Sequence, residues 1–95
     1  MAIRFLQTLS ADGQSNTFAV PGVKFTVGAF GSFGGGTVKL QVLADGTNWR
    51  DVTDASFTAA GQKTINFGSV ADAHGYVARF DLSGSTSPDI DLEVY

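Results

Sequence analysis

The sequence predicts an all-β domain, a single antiparallel β-sandwich of about eight strands with a jelly-roll-like character, and three observations carry that prediction. First, apolar and polar residues alternate with a period of two. Val38, Leu40 and Val42 interleave with Thr37, Lys39 and Gln41, as in a strand buried on one face and wet on the other. Second, turn chemistry separates the alternating runs at Ala11-Asp12-Gly13, Pro21-Gly22, Gly34-Gly35-Gly36, Asp45-Gly46, Ala60-Gly61 and Ser83-Gly84-Ser85. Third, outside the short stretch Ala71-Asp72-Ala73-His74, no segment has apolar residues spaced by three and four. Gly or β-branched residues interrupt every window long enough for a helix.

Ile3 to Leu9 reads as the opening strand. Asn16 to Val20 and Val23 to Phe30 flank Pro21-Gly22, which fits the central pair of a type II turn because Pro presets φ and Gly takes the positive φ that follows. A hairpin over Phe18 to Phe25 is therefore expected. Thr37 to Leu43 and the strand starting at Trp49 and running to Thr53 are joined at Asp45-Gly46, where Gly tolerates positive φ and Asp can bond its own backbone. Gln62 to Phe67, Gly75 to Ser83 and Asp89 to Tyr95 complete the set. Val23, Phe25 and Val27 share a face, as do Ile65 with Phe67, Phe80 with Leu82, and Ile90 and Leu92 with Val94. These residues, with the sole tryptophan Trp49, are the expected core. Eight short strands suit a jelly-roll or an immunoglobulin-like order equally.

The 95 residues (1–95) are expected to form one domain with one core, burying only about 60 to 70% of the unfolded surface, so association is expected to add stability. A composition of 43% hydrophobic and 16% charged residues excludes a disordered chain. Without cysteine there are no disulfides, thiolate nucleophiles or cysteine metal sites, which fits a reducing compartment. Met1-Ala2-Ile3-Arg4 runs directly into a strand-like segment and lacks signal-peptide character, and no apolar run approaches the roughly 20 residues that cross a bilayer. A net charge of -3, with six dispersed basic residues, argues against nucleic acid as partner. The single histidine, His74, and the turn-like settings of Ser10, Ser32 and Ser83 leave no acid, base and nucleophile set. Neither catalysis nor a cofactor is expected.

Two features invite a functional reading. Phe30-Gly31-Ser32-Phe33-Gly34-Gly35-Gly36 sets two aromatic rings in a glycine-rich, mobile loop that lacks the Gly-Lys-Ser/Thr ending of a phosphate loop. The rings either plug an open end of the sandwich or anchor a partner protein. Asp89, Asp91 and Glu93 alternate, so they project from one face of the final strand. They either discourage unwanted sheet pairing, meet basic residues of a neighbour, or contribute to a calcium site. Calcium is the weakest of these, because side chains along a straight strand diverge, and Asp45, Asp51 and Asp54 lack the EF-hand pattern. Candidate partner-binding residues are therefore Phe30, Phe33, Asp89, Asp91 and Glu93, with no metal expected. Trp49, Phe30, Phe33 and Tyr76 keep carbohydrate binding open.

Asp45-Gly46-Thr47-Asn48-Trp49, with Tyr76-Val77-Ala78-Arg79-Phe80 and Ile90-Asp91-Leu92-Glu93-Val94-Tyr95, resembles the Asp-Gly-x-x-Trp hairpin and terminal strand pair of discoidin-like (coagulation factor 5/8 type C) jelly rolls. That resemblance covers the second half of the chain. The longer loops and N-terminal part that shape the ligand site in that family are lacking, so no ligand residues carry over. In size and texture the whole chain resembles the small cysteine-free β-sandwich proteins of tailed-bacteriophage virions, and looks like a capsid decoration, or cement, protein. The resemblance implies a homo-oligomer, commonly a trimer, seated on a symmetry axis of the expanded capsid, where it clamps neighbouring major capsid proteins. It would be made in the host cytoplasm and reside on the capsid surface. The alternative role is a carbohydrate- or surface-binding module of a phage tail or fibre receptor-binding apparatus. Copies closed around an axis would cover exposed strand edges, and modest contacts would combine through multivalency.

Overall fold

The computed structural model describes residues 5–20, 24–43, 47–66 and 77–95, with the backbone alone at positions 53 and 54. Among the described residues there are nine strands: β1 Phe5–Leu9, β2 Gly13–Gln14, β3 Phe18–Ala19, β4 Lys24–Ser32, β5 Thr37–Leu43, β6 Arg50–Phe57, β7 Gly61–Asn66, β8 Val77–Ser83 and β9 Asp89–Val94. They form two antiparallel sheets, one ordered β1-β9-β4-β7 and the other β2-β8-β5-β6, with β3 also paired to β8. Taking β2 and β3 as two pieces of one strand gives four strands facing four. Only the β2–β3 and β5–β6 connections stay within a sheet. In an immunoglobulin order the first two strands share a sheet. Here β1 and β2 lie in different sheets and the first strand pairs with the last, so the fold is a jelly-roll sandwich.

Alternation along the strands fills the space between the sheets. One layer contributes Phe25, Val27 and Ala29 from β4, Ile65 from β7, and Ile90, Leu92 and Val94 from β9. The other contributes Val38 and Leu40 from β5, Ala55 and Phe57 from β6, and Ala78, Phe80 and Leu82 from β8. At one side Phe5 and Phe18 close over Phe80, with ring centroids 4.7 Å apart (Phe5–Phe18), 6.2 Å (Phe5–Phe80) and 5.6 Å (Phe18–Phe80) and tilted planes that suit the aromatic quadrupoles. Between β2 and β3 the buried Ser15 continues the ladder with its side chain. The Phe80 amide donates to Ser15 Oγ at 2.9 Å, and the Ser15 amide donates to the Phe80 carbonyl at 2.9 Å. No buried polar group is thereby orphaned at this break.

Several expectations need correction. Phe18 and Phe25 do not form a hairpin, because β3 pairs with β8 whereas β4 pairs with β7 and β9 in the opposite sheet. A turn signature marks a reversal of direction without fixing which strand receives the returning chain. Pro21-Gly22 and Val23 lie outside the described residues, as do Asp45-Gly46, Phe67, His74 and Tyr76. Trp49 is half-buried and is not a core residue. Continuing the pairing Val42↔Arg50 by one step sets Trp49 beside Leu43, on the outward parity of β5. The strand predicted to stop at Thr53 runs on to Phe57, because residues 52–55 of β6 bulge opposite the single residue Leu40. The two-residue β2 is too short to announce itself by periodicity.

The glycine-rich segment is tightly packed. The Gly36 amide closes a turn on the Phe33 carbonyl at 2.9 Å, and the Thr86 amide reaches the Gly34 carbonyl at 2.9 Å. Gly34 has φ 60°, and a Cβ there would land on the Thr86 carbonyl oxygen. The adjoining 84–87 segment is held in turn by Asp12. Its carboxylate accepts from the Gly84 amide at 3.1 Å, the Ser85 amide at 3.0 Å and the Ser85 hydroxyl. The bonds from Ser85, and then from Gly84, outweigh a small desolvation and hold the Asp12 carboxyl below the usual 3.8.

Gly34→Ala should cost about 3 kcal/mol, the left-handed penalty plus displacement of the 84–87 segment, whereas Gly35→Ala, which meets open space, should cost about 1 kcal/mol. At about 4–8 °C per kcal/mol the two melting temperatures should separate clearly, and equal shifts would refute the close-approach account. Because the Asp12 value is depressed on folding, its contribution is complete above 3.8 and disappears as the pH falls through the lower folded value. Asp12→Ala should therefore melt below the wild type at neutral pH, and the gap should narrow as the solution is acidified to about pH 2.

Candidate functional site

The pleat sends the even and odd positions of each strand to opposite faces, so each sheet has one outer surface whose chemistry follows from register. On the outside of the β1-β9-β4-β7 sheet, one row runs Leu6–Glu93–Gly28–Gln62, the next runs Thr8–Asp91–Phe30, and Asp89 sits opposite Ser32. Phe30, Asp89, Asp91 and Glu93, chosen as separate candidates in sequence, are thus brought onto one surface. The ring of Phe30 lies over Gly28: a Cβ at Gly28 would stand 2.7 Å from its Cε2. The missing side chain forms a floor for the aromatic ring, which is half-buried.

The fifth candidate is elsewhere. Phe33 is 7% exposed and belongs to the core, so its side chain acts as a plug and not as an outward anchor. The physical reason is the turn at Phe33–Gly36, which folds the ring back between the sheets.

The carboxylates have specific neighbours. The Thr8 hydroxyl donates to Asp91 Oδ1 at 2.7 Å, and the Tyr95 phenol donates to Glu93 Oε1. Gln62 Nε2 donates to the Tyr95 phenol oxygen at 3.3 Å. The Tyr95 amide bonds the Thr26 carbonyl at 2.9 Å, which carries β9 one residue further along β4. Thr8, Gly28, Gln62 and Tyr95 were missed in the sequence reading. Their signal was available only once register was known, apart from the two-residue spacing of Gly28 and Phe30. Guarding an edge does not describe this acidic row, because β9 is hydrogen-bonded on both sides. Among the described residues no group of three His, Asp or Glu stands close enough to hold a metal ion, and Asp45 and the Asp54 side chain lie outside that description.

The outer face of the second sheet is organised differently. Arg79 Nε donates to Gln41 Oε1 at 2.9 Å, Gln41 Nε2 donates to Asp51 Oδ1 at 2.9 Å, and Lys39 Nζ stands 3.6 Å from Asp51 Oδ2. The bond from Gln41, then the charge of Lys39, holds the Asp51 carboxyl below its usual value against some desolvation. The Arg79 guanidinium lies over Trp49, 4.1 Å from the ring centroid. On the next strand over, Gln14 Nε2 donates to Asp81 Oδ1 at 2.7 Å.

No protein-family model and no curated protein matches the chain. Among solved structures it is similar to TmCBM61, a carbohydrate-binding module, in complex with beta-1,4-galactotriose. The identity is 16%, the match covers 95% of this chain and 81% of that one, and the TM-score is 0.42.

The bond to Glu93, followed by desolvation, raises the Tyr95 phenol above 10.0, opposed in part by Gln62. The raised value means that the neutral phenol is favoured by folding, a contribution present below 10.0 and lost as pH rises through the folded value. In a Tyr76→Phe background, phenolate absorbance should therefore appear later than for a free tyrosine, and adding Glu93→Gln should bring the midpoint back toward 10.0. An unmoved midpoint would remove the Tyr95–Glu93 contact from the description of this face.

Proposed function

We propose that the chain is a structural virion protein of a tailed bacteriophage, a non-catalytic capsid decoration protein. In this reading it binds and stabilises the shell of major capsid protein through the outer face of the β1-β9-β4-β7 sheet. The observation that supports it is the row Asp89, Asp91 and Glu93 along an interior strand, with Phe30 at its side. Three like charges spaced along one strand repel one another modestly, and a partner surface bearing Lys or Arg relieves that repulsion while gaining charge-assisted bonds. Phe30 supplies the apolar centre that such an interface needs, and Thr8, Ser32, Gln62 and Thr64 supply a polar rim.

The same reading accounts for assembly. Among the described residues β1 and β7 are the edges of this sheet and β6 is an edge of the other, and a closed ring of copies would cover such edges. A homotrimer on a shell of repeated sites needs only modest affinity per contact, because the contacts act together. The partner is a protein surface, with no nucleic acid, membrane or cofactor involved.

The test is co-sedimentation with undecorated capsids, with solution mass measured on the same sample. The wild type should have the mass of three copies and pellet with the shells, less so as salt is raised. Phe30→Ser combined with Asp91→Asn should melt near the wild type and lose at least about tenfold in capsid affinity, about 1.4 kcal/mol. A wild type that stays in the supernatant, or a double variant that pellets equally, would overturn the reading.

A further inference from the structure

The outer face of the β2-β8-β5-β6 sheet points away from the acidic row and carries a separate pattern. Read across the strands, register pairs Val77 with Leu43, and one step past Val42↔Arg50 brings Trp49 into the same row; the next rows are Arg79, Gln41 and Asp51, then Asp81, Lys39 and Ser56. The first row is apolar and partly open, with Val77 37% exposed and Trp49 half-buried. The second is a ladder of three planar polar side chains, each bonded to the next. Among the described residues of this face the cations Arg79 and Lys39 are matched by the anions Asp51 and Asp81, so it carries no net charge.

We infer that this face is a binding platform for a neutral oligosaccharide, with Trp49 and Arg79 at its centre. A charge-balanced surface offers little to a polyanion or a polycation, since every attraction is met by a nearby repulsion. A sugar chain has the complementary chemistry. Its pyranose rings present a C–H face that packs on an indole and on aliphatic neighbours, and a rim of hydroxyls that both donate and accept. Arg79 commits Nε to Gln41, which fixes the guanidinium and, among the described residues, leaves its terminal amino groups to donate. Asp51 keeps acceptor capacity beyond its bond from Gln41 and its ion pair with Lys39. Because the ladder is already bonded in place, its side chains lose little rotamer freedom when a ligand arrives. The row spans three strands, about 10 Å, the reach of a disaccharide.

This inference does not rest on the capsid reading, which uses the opposite face. The two are compatible, since a copy docked through one sheet presents the other outward.

Trp49 is the sole tryptophan, so indole emission, excited beyond the tyrosine absorption band, reports on this face alone. The whole chain is titrated with a panel of neutral gluco-, galacto-, manno- and xylo-oligosaccharides, with sulfated oligosaccharides as charged probes. At least one neutral member should shift the emission saturably. Arg79→Met and Gln41→Ala should each weaken that binding at least tenfold while melting near the wild type, and Phe30→Ser on the far face should leave it unchanged. The inference is overturned if no neutral member shifts the emission or gives a binding heat, or if a sulfated probe binds more tightly than every neutral one. It is also overturned if binding survives both folded ladder variants or is abolished by Phe30→Ser.

Discussion

β9 bonds to β1 along Phe5–Leu9 on one side and to β4 along Val27–Ser32 on the other, and the rest of the structure depends on that insertion. It joins the two ends of the described chain in one sheet and sets the pleat of its central strand. Ile90, Leu92 and Val94 are then fully buried, and Asp89, Asp91 and Glu93 are turned outward. A slip of one residue would exchange these two sets, driving three carboxylates between the sheets. The core and the acidic surface are two consequences of one register.

That linkage explains what was legible beforehand. Alternation in Thr37 to Leu43 and Asp89 to Tyr95 revealed which residues face inward, because burial on one side leaves a period of two in the sequence. Phe25, Phe80 and Leu82 were found in the same way. Alternation says nothing about which strands are neighbours. The row joining Thr8, Asp91 and Phe30 combines residues far apart in the chain and needed the topology. Trp49 failed for a related reason: size suggested core, but its place opposite Leu43 decides its direction.

The glycines show how composition misleads when its cause is not asked. A run of Gly34, Gly35 and Gly36 suggests mobility, yet Gly34 is glycine because another backbone segment occupies the space a side chain would need. The result is a closely packed corner in which Phe33 is buried while Phe30, three residues earlier, stays on the surface.

Joining the first strand to the last also shapes how copies of this protein can relate to one another. A copy cut before Asp89 would keep β1 and β4 with a vacant slot between them, one strand wide and lined by the partners of Ile90, Leu92 and Val94. A terminal segment from a neighbour fits it as well as the chain's own does, since register and side chains are identical. Two copies held close together would then be able to trade β9 strands, converting a surface contact into an interlocked one.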